Sequence, residues 1–261
     1  MEEGRHQQPF GVRTGARTTQ RRGRMSEAKR ASLADLGPQW SIDGPTAADP
    51  AGLDRAFARS APRLLDIGGG SGEATRAWAA DHPDHDVVAL ELHRPGIVRL
   101  VRDLDAEGPA NVRVAEVDAT TVVAALAPGT YEAVRVLFPD PWPKRRHVGR
   151  RLVDPAFVQR VVDLLPQGGV LHLATDWGDY GEQMRAALAT DTRLDVEVAA
   201  RDGDVVVVPV ADVASVAAPP TEPHGPPVWW SPKPDRPITA YEQRGIDAGR
   251  TIVDLVSRRA R

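Results

Sequence analysis

The 261-residue chain has no cysteine. Disulfides and thiolate-bound metals are thereby excluded, and a reducing, cytoplasmic setting is expected. No apolar run approaches the roughly 20 residues that cross a bilayer. The nearest, Val205 to Ala218, is broken by Pro209 and Asp212, so no membrane partner is expected. The first residues lack the apolar stretch of a secretory signal. They are arginine-rich, as transit peptides are, but carry no amphipathic apolar face. No His/Asp/Glu cluster stands at metal-ligand spacing, so no metal is expected. No internal repeat is present.

What is there suffices for one sizeable core: 41% of the residues are hydrophobic. The net charge of -3 hides an asymmetry. Residues 1–30 carry eight basic side chains against Glu2, Glu3 and Glu27. Lys144 to Arg151 adds five more with no acid, which leaves a strongly acidic remainder. Two basic clusters on an acidic body point to a localised polyanion contact. Residues 1–35, polar and nearly aperiodic, read as a basic, flexible N-terminal tail. Residues 36–261 read as a single domain.

From Arg63 the text alternates strand and helix. Strands are expected at Leu64–Ile67, Asp86–Leu92, Val112–Val117, Tyr131–Phe138 and Val170–Ala174. Helices are expected at Glu73–Asp81, from Pro95, near Thr120–Leu126, at Pro155–Leu165 and at Asp179–Ala189. This is the pattern of an α/β, Rossmann-like, doubly wound sheet, mostly parallel and covered on both faces. Residues 201–234 read as an excursion rich in proline, with Val205–Val208 as a candidate strand. A helix near Glu242–Arg258 is expected to close the chain, in an antiparallel C-terminal part.

Ligands of such sheets bind beyond the carboxyl ends of the strands. Every strand end here is acidic: Asp66, Glu91, Asp118, Asp140 and Asp176. Helix capping explains acids at single positions, and the full set less well. Gly68-Gly69-Gly70-Ser71-Gly72 gives G-x-G-x-G, but Glu73 stands where the dinucleotide fingerprint has its third glycine. A carboxylate-rich crevice repels a pyrophosphate. It suits S-adenosylmethionine, which carries an ammonium, a sulfonium, ribose hydroxyls and an adenine amino group. Backbone N–H groups of the glycine turn can donate to its one carboxylate.

Asp66-Ile-Gly-Gly-Gly-Ser-Gly72, Glu91-Leu-His-Arg-Pro-Gly96, Phe138-Pro-Asp-Pro-Trp-Pro-Lys144 with its basic run, Ala174-Thr-Asp-Trp177 and Arg236-Pro-Ile-Thr-Ala-Tyr-Glu-Gln-Arg-Gly245 resemble the bacterial tRNA (guanine-N7)-methyltransferase family. The resemblance covers about residues 60–190 and 235–255. It implies an S-adenosylmethionine-dependent enzyme that methylates N7 of guanosine 46 in the variable loop of tRNA. By the resemblance, Asp66, Glu91, Asp118 and Asp140 bind the cofactor, and Asp140 is catalytic; the turn glycines Gly68, Gly70 and Gly72 are expected to let the backbone approach the same ligand. Lys144, Arg146, Arg150, Arg151, Asp176, Thr239, Ala240, Tyr241 and Glu242 bind tRNA. Three departures are visible. Position 66 is Asp where Glu is common, position 240 is Ala where Lys is usual, and the 201–234 excursion is long.

Guanine N7 carries a lone pair and no proton, so no general base is needed. The enzyme's task is alignment, with a carboxylate such as Asp140 stabilising the cationic product ring. Asp176 and Glu242 are candidates for reading guanine N1–H and N2–H₂. Lys144 to Arg151 suits phosphates. Trp142 and Trp177 are placed for base stacking or for packing. Trp229 and Trp230 read as packing of the excursion, His93 as a structural residue and His147 as part of the basic surface. A methyltransferase of small molecules or proteins, and a non-catalytic RNA-binding protein on the same fold, are the competing readings.

Overall fold

A computed structural model describes residues 25–199, 205–212 and 236–260. These form one eight-stranded sheet of order β3-β2-β1-β4-β5-β8-β6-β7. Strand β1 (Arg63–Ile67) leads through helix α4 (Glu73–Asp81) to β2 (Asp86–Leu90), and α5 (Arg94–Glu107) leads to β3 (Val112–Ala115). The chain then returns through α6 (Ala119–Ala125) to β4 (Ala133–Leu137), on the other side of β1. Helix α7 (Pro155–Leu164) leads to β5 (Val170–Thr175), and α8 (Gly178–Leu188) follows it. All five strands are parallel. The winding reverses between β1 and β4, so the crevice opens there.

Burial explains why these segments are strands. All five residues of β1 and of β2 are buried, because helices cover both faces. Leu65, Ile67, Val88 and Leu90 face a core shared with α6, α7 and α8. Leu64, Val87 and Ala89 face the other way, against Trp40, Ile97, Leu100 and Leu104. Side chains two apart thus share a face, and the strands carry apolar residues on both.

Three expectations are corrected. The N-terminal tail does not extend to residue 35: helix α1 (Glu27–Trp40) begins at Ser26, whose hydroxyl accepts the Lys29 N–H. Leu33, Leu36 and Trp40 pack it against the core beside α5. Residues 1–24 lie outside the described ones. Two short helices follow, α2 (Gly44–Ala48) and α3 (Pro50–Phe57), capped by Asp43 and Asp49 with proline in the first turn. The closing helix is short: α9 (Ala240–Asp247) stops before Gly249, at φ 69°, and the chain turns into strand β8 (Val253–Arg259). Left-handed backbone at a glycine ends a helix cheaply. Of the excursion, residues 205–212 hold strand β7 (Val205–Pro209) and a short 3₁₀ turn, while Trp229 and Trp230 lie outside the described residues. Strand β6 (Leu194–Ala199), unforeseen, pairs antiparallel with both β7 and β8, and β8 pairs antiparallel with β5.

A row of polar side chains runs across the buried middle of this sheet. Asp66 of β1 stands opposite Arg135 of β4, and Arg135 stands opposite His172 of β5. The Arg135 guanidinium donates from Nε to Oδ1 (3.1 Å) and from Nη2 to Oδ2 (2.7 Å) of Asp66. Thr75 Oγ1 of α4 donates to the same Oδ2 at 2.6 Å. His172 Nε2 lies 2.7 Å from Oδ1 of Asp254 in β8. The His172 pKa is held below the usual imidazole range by burial, against the pull of Asp254. The Arg135 and Arg236 charges lower it further. Its folded pKa is depressed, so the unfolded chain takes up the proton first. Stability contributed by the neutral ring is therefore lost as pH falls below about 6.5. Burial works to raise the Asp254 carboxyl, but His172 and Arg236 outweigh it and hold it below its usual value.

Both side chains of the Asp66–Arg135 pair are only 4% exposed. Removing one partner strands a buried charge, at a cost of about 3–5 kcal/mol. Arg135→Leu is expected to lose that much in urea denaturation, and Asp66→Leu/Arg135→Leu to lose less than Arg135→Leu alone. Losses that add in the double variant contradict the pairing.

Candidate active site

The glycine turn after β1 is bare backbone facing the crevice. Gly68, Gly70 and Gly72 have φ of 79°, 59° and 83°, which only glycine adopts freely. A Cβ on Gly68 meets nothing within 4 Å, whereas one on Gly72 falls 2.2 Å from Leu100 Cδ1. The first opens to a ligand and the second lets α4 dock on α5. On α5 itself, a Cβ at Gly96 falls 2.7 Å from the Gly70 carbonyl, so that helix start presses directly on the loop.

Glu91, past the end of β2, holds this loop. Its Oε2 accepts the Gly70 N–H at 2.8 Å, and its Oε1 accepts the Leu92 and His93 N–H groups at 2.6 and 2.7 Å. Asp118 caps α6, accepting the Thr120 N–H at 2.9 Å and the Thr120 hydroxyl at 2.8 Å. Capping and ligand binding are compatible here, since the residue is only half-buried. Asp66 lies deeper, 3% exposed beneath the loop, with both oxygens taken by Arg135 and Thr75. Asp66, expected to contact the cofactor, supports the glycine loop from below in this arrangement.

Asp140 is different. It is exposed beyond the end of β4, and among the described residues no hydrogen bond or ion pair engages its carboxylate. The backbone around it is strained: Phe138 and Trp142 have φ of 51° and 43°. Each such residue costs of order 1–3 kcal/mol and persists only where its surroundings enforce it. Phe138 N–H is held by the Ala174 carbonyl at 2.8 Å, and the Pro141 carbonyl by Arg151 Nε at 2.8 Å.

That second bond reassigns Arg151. Its side chain is 2% exposed. Nη1 donates to Gln183 at 2.9 Å, Nη2 to Asp179 at 2.8 Å, and the guanidinium lies 4.8 Å from the Tyr180 ring centre. It clamps the Asp140 loop onto α8. The rest of the basic run forms a 3₁₀ turn, Arg145–Arg150, with Lys144, Arg146 and Arg150 exposed. Arg150 sits 5.0 Å over the Trp142 ring, and His147 meets that ring edge-on. Trp177 packs on the main core, while His93 precedes α5 without a side-chain cap.

Opposite stands the segment that leads into α9. Thr239 and Glu242 form a reciprocal capping box. Glu242 is 1% exposed and its carboxylate receives Arg236. Glu242, expected to read guanine, has its acceptors at the helix start, facing Arg236 and the Thr239 N–H. Asp176 is half-buried, accepts Arg250 Nε at 2.8 Å, and packs against Gly245. Ala240 and Tyr241 are exposed, and Tyr241 lies 3.9 Å from where a Cβ on Gly70 would stand. The α9 segment thus reaches across to the glycine loop. Sequence reasoning missed Arg236. The signal was present: an arginine that precedes proline at a strand-poor position, six residues before an acid.

A doubly wound sheet in which β7 and β8 run against the other strands, a glycine turn without its third glycine and half-buried acids around it define a Rossmann-like methyltransferase. The chain belongs to the tRNA (guanine-N7)-methyltransferase family. Residues 60–211 match the model of a putative methyltransferase family. The tRNA (guanine-N(7)-)-methyltransferase of Alkalilimnicola ehrlichii is 38% identical over 92% of this chain and 90% of its own length. That of Halorhodospira halophila is 38% identical over 96% of each. Among solved structures, the aminoglycoside resistance methyltransferase NpmB1 is 12% identical, with a TM-score of 0.46 over 81% of this chain and 94% of its own.

Glu91→Gln replaces an acceptor with an amide beside the Gly70 N–H. It is expected to weaken S-adenosylmethionine binding at least tenfold, about 1.4 kcal/mol, with little change in melting temperature. Unchanged affinity by calorimetry overturns the role of Glu91.

Proposed function

We propose that this protein transfers the methyl group of S-adenosylmethionine to N7 of guanosine in tRNA, at position 46 of the variable loop. The observation that carries the reading is Asp140: an exposed carboxylate with no partner among the described residues, on an enforced backbone beyond the end of β4. The residues present fit the cofactor. The bare backbone at Gly68 leaves room, and Glu91 and Asp118 offer half-buried acceptors suited to hydroxyl and amino groups. When bound, the cofactor supplies an electrophilic methyl group on a sulfonium.

The chain's own work is then positional. Glu91 fixes the loop that carries the cofactor. Asp140 faces the base from beyond β4 and stabilises the positive charge that the ring gains on methylation, with no proton to remove. Asp176 and the edge formed by buried Thr239 and exposed Ala240 and Tyr241 present the guanosine, with Glu242 holding that edge rather than touching the base. Lys144, Arg146 and Arg150 meet phosphates, and Trp142 offers a ring for stacking next to them. No helix among the described residues is long and apolar enough to cross a membrane. We place the protein with its substrate in the cytoplasm and assign it no metal. A small-molecule methyltransferase has no use for the exposed basic turn beside Asp140, and a non-catalytic RNA binder has none for the glycine loop.

Two measurements test this. Asp140→Asn keeps the shape and removes the charge. Its single-turnover rate on unmodified tRNA, with both substrates saturating, is expected to fall roughly 100-fold, about 2.7 kcal/mol, with tRNA affinity preserved. A near-normal rate removes Asp140 from the chemistry. The second compares neighbours. Arg150→Ala is expected to weaken tRNA binding and flatten its salt dependence by close to one unit of slope. Arg151→Ala is instead expected to lower the melting temperature, since it unties the loop. Equal salt slopes for wild type and Arg150→Ala contradict the phosphate assignment.

A further inference from the structure

We propose that Arg236 is a positioning residue: it fixes the catalytic loop at Asp140 against the substrate edge at Thr239–Tyr241. The inference rests on the proposed function. The Arg236 side chain is 4% exposed and meets three elements: β8, the start of α9 and the loop after β4. Nη2 donates to both oxygens of Asp254 in β8, at 3.0 and 2.9 Å, and Nε reaches Oδ1 at 3.3 Å. Nη1 donates to Glu242, the acid of the capping box that starts α9. The guanidinium carbon lies 5.5 Å from the centre of the Phe138 ring. Phe138 is the strained residue two before Asp140.

Each contact has a separate consequence. Asp254 is itself fixed by His172 of β5, so the guanidinium is anchored to the sheet rather than to a loop. Through Glu242 it sets the start of α9, and with it the Thr239–Tyr241 edge. Through the Phe138 ring it restrains the backbone that projects Asp140. A planar, five-donor fork can serve all three at once. The Lys ammonium is a compact point charge without a face to lay on a ring, and cannot do so. Arg236→Lys therefore keeps the buried charge but breaks the geometry. Small misplacements of reacting groups cost rate far more than affinity.

The experiment uses the full chain with unmodified tRNA and compares wild type, Arg236→Lys and Phe138→Leu. Each is assayed at a temperature where circular dichroism shows it folded. Single-turnover rates are measured at saturating substrates, and cofactor affinity by calorimetry. Arg236→Lys is expected to lose at least about tenfold in rate with cofactor affinity within about threefold of wild type. Phe138→Leu is expected to lose rate in the same direction, and the double variant to lose less than the product of the two. A purely stabilising arginine would shift the melting temperature and leave the single-turnover rate alone. A rate for Arg236→Lys within about twofold of wild type, or a loss confined to cofactor affinity, overturns the inference. If Arg236→Lys does not fold, an unchanged rate in Phe138→Leu overturns it. Wild-type protein that leaves tRNA unmethylated sinks the proposed function instead.

Discussion

The sheet depends on a line of charge laid across its interior. Asp66, Arg135, His172, Asp254, Arg236 and Glu242 follow one another from β1 to the start of α9, signs alternating about a neutral imidazole. Burying charge is expensive, and buried pairs are seldom a net gain in stability over apolar substitutes. What they add is specificity of arrangement: each member is satisfied only if its neighbour strand is in register. Such a row tolerates no slippage between β1, β4, β5 and β8. The glycine loop follows Asp66 at one end of the row, and the start of α9 holds Glu242 at the other.

Around the crevice, paired and unpaired acids divide the labour. Asp66 is buried in its pair, Glu91 is committed to backbone N–H groups, and Asp176 shares Arg250. Asp140 alone among the five strand-end acids has no partner among the described residues. A free carboxylate on a fully flexible loop would be solvated and mobile. Here the backbone on both sides is held by Ala174 and Arg151, so the exposed group is kept in place from behind. Interactions made by neighbours thus position a side chain that makes none.

The parallel half of the fold was legible because burial writes itself as apolar runs of the right length, ended by acids and glycines. Leu64–Ile67 and Asp86–Leu92 are such runs, and the strands lie there. Helix α1 was not legible, since only Leu33, Leu36 and Trp40 in its length are apolar anchors and Pro38 interrupts it. Strand β8 was mistaken for helix because a short apolar run, Ile252 to Val256, fits either period. Within the site, the glycine loop and Asp140 were readable from local pattern. The tasks of Arg151, Glu242 and Arg236 were not, because their partners are set by tertiary contact. Charged residues inside buried strands, Arg135 between Val134 and Val136 and His172 between Leu171 and Leu173, were the one local hint of the row.

The place of β8 has a consequence for birth on the ribosome. Strand β8 joins β5 to β6, yet it is synthesised after both. At roughly 5–20 residues per second, some seconds separate the emergence of β5 from that of its neighbour. Throughout that interval β5 presents an unpaired edge, the β6–β7 hairpin has no sheet to join, and His172 waits for its carboxylate. The nascent chain therefore carries an open, partly apolar strand that invites association until Val253–Arg259 slides in. Insertion then closes the edge, joins the two halves of the sheet and completes the polar row in one event.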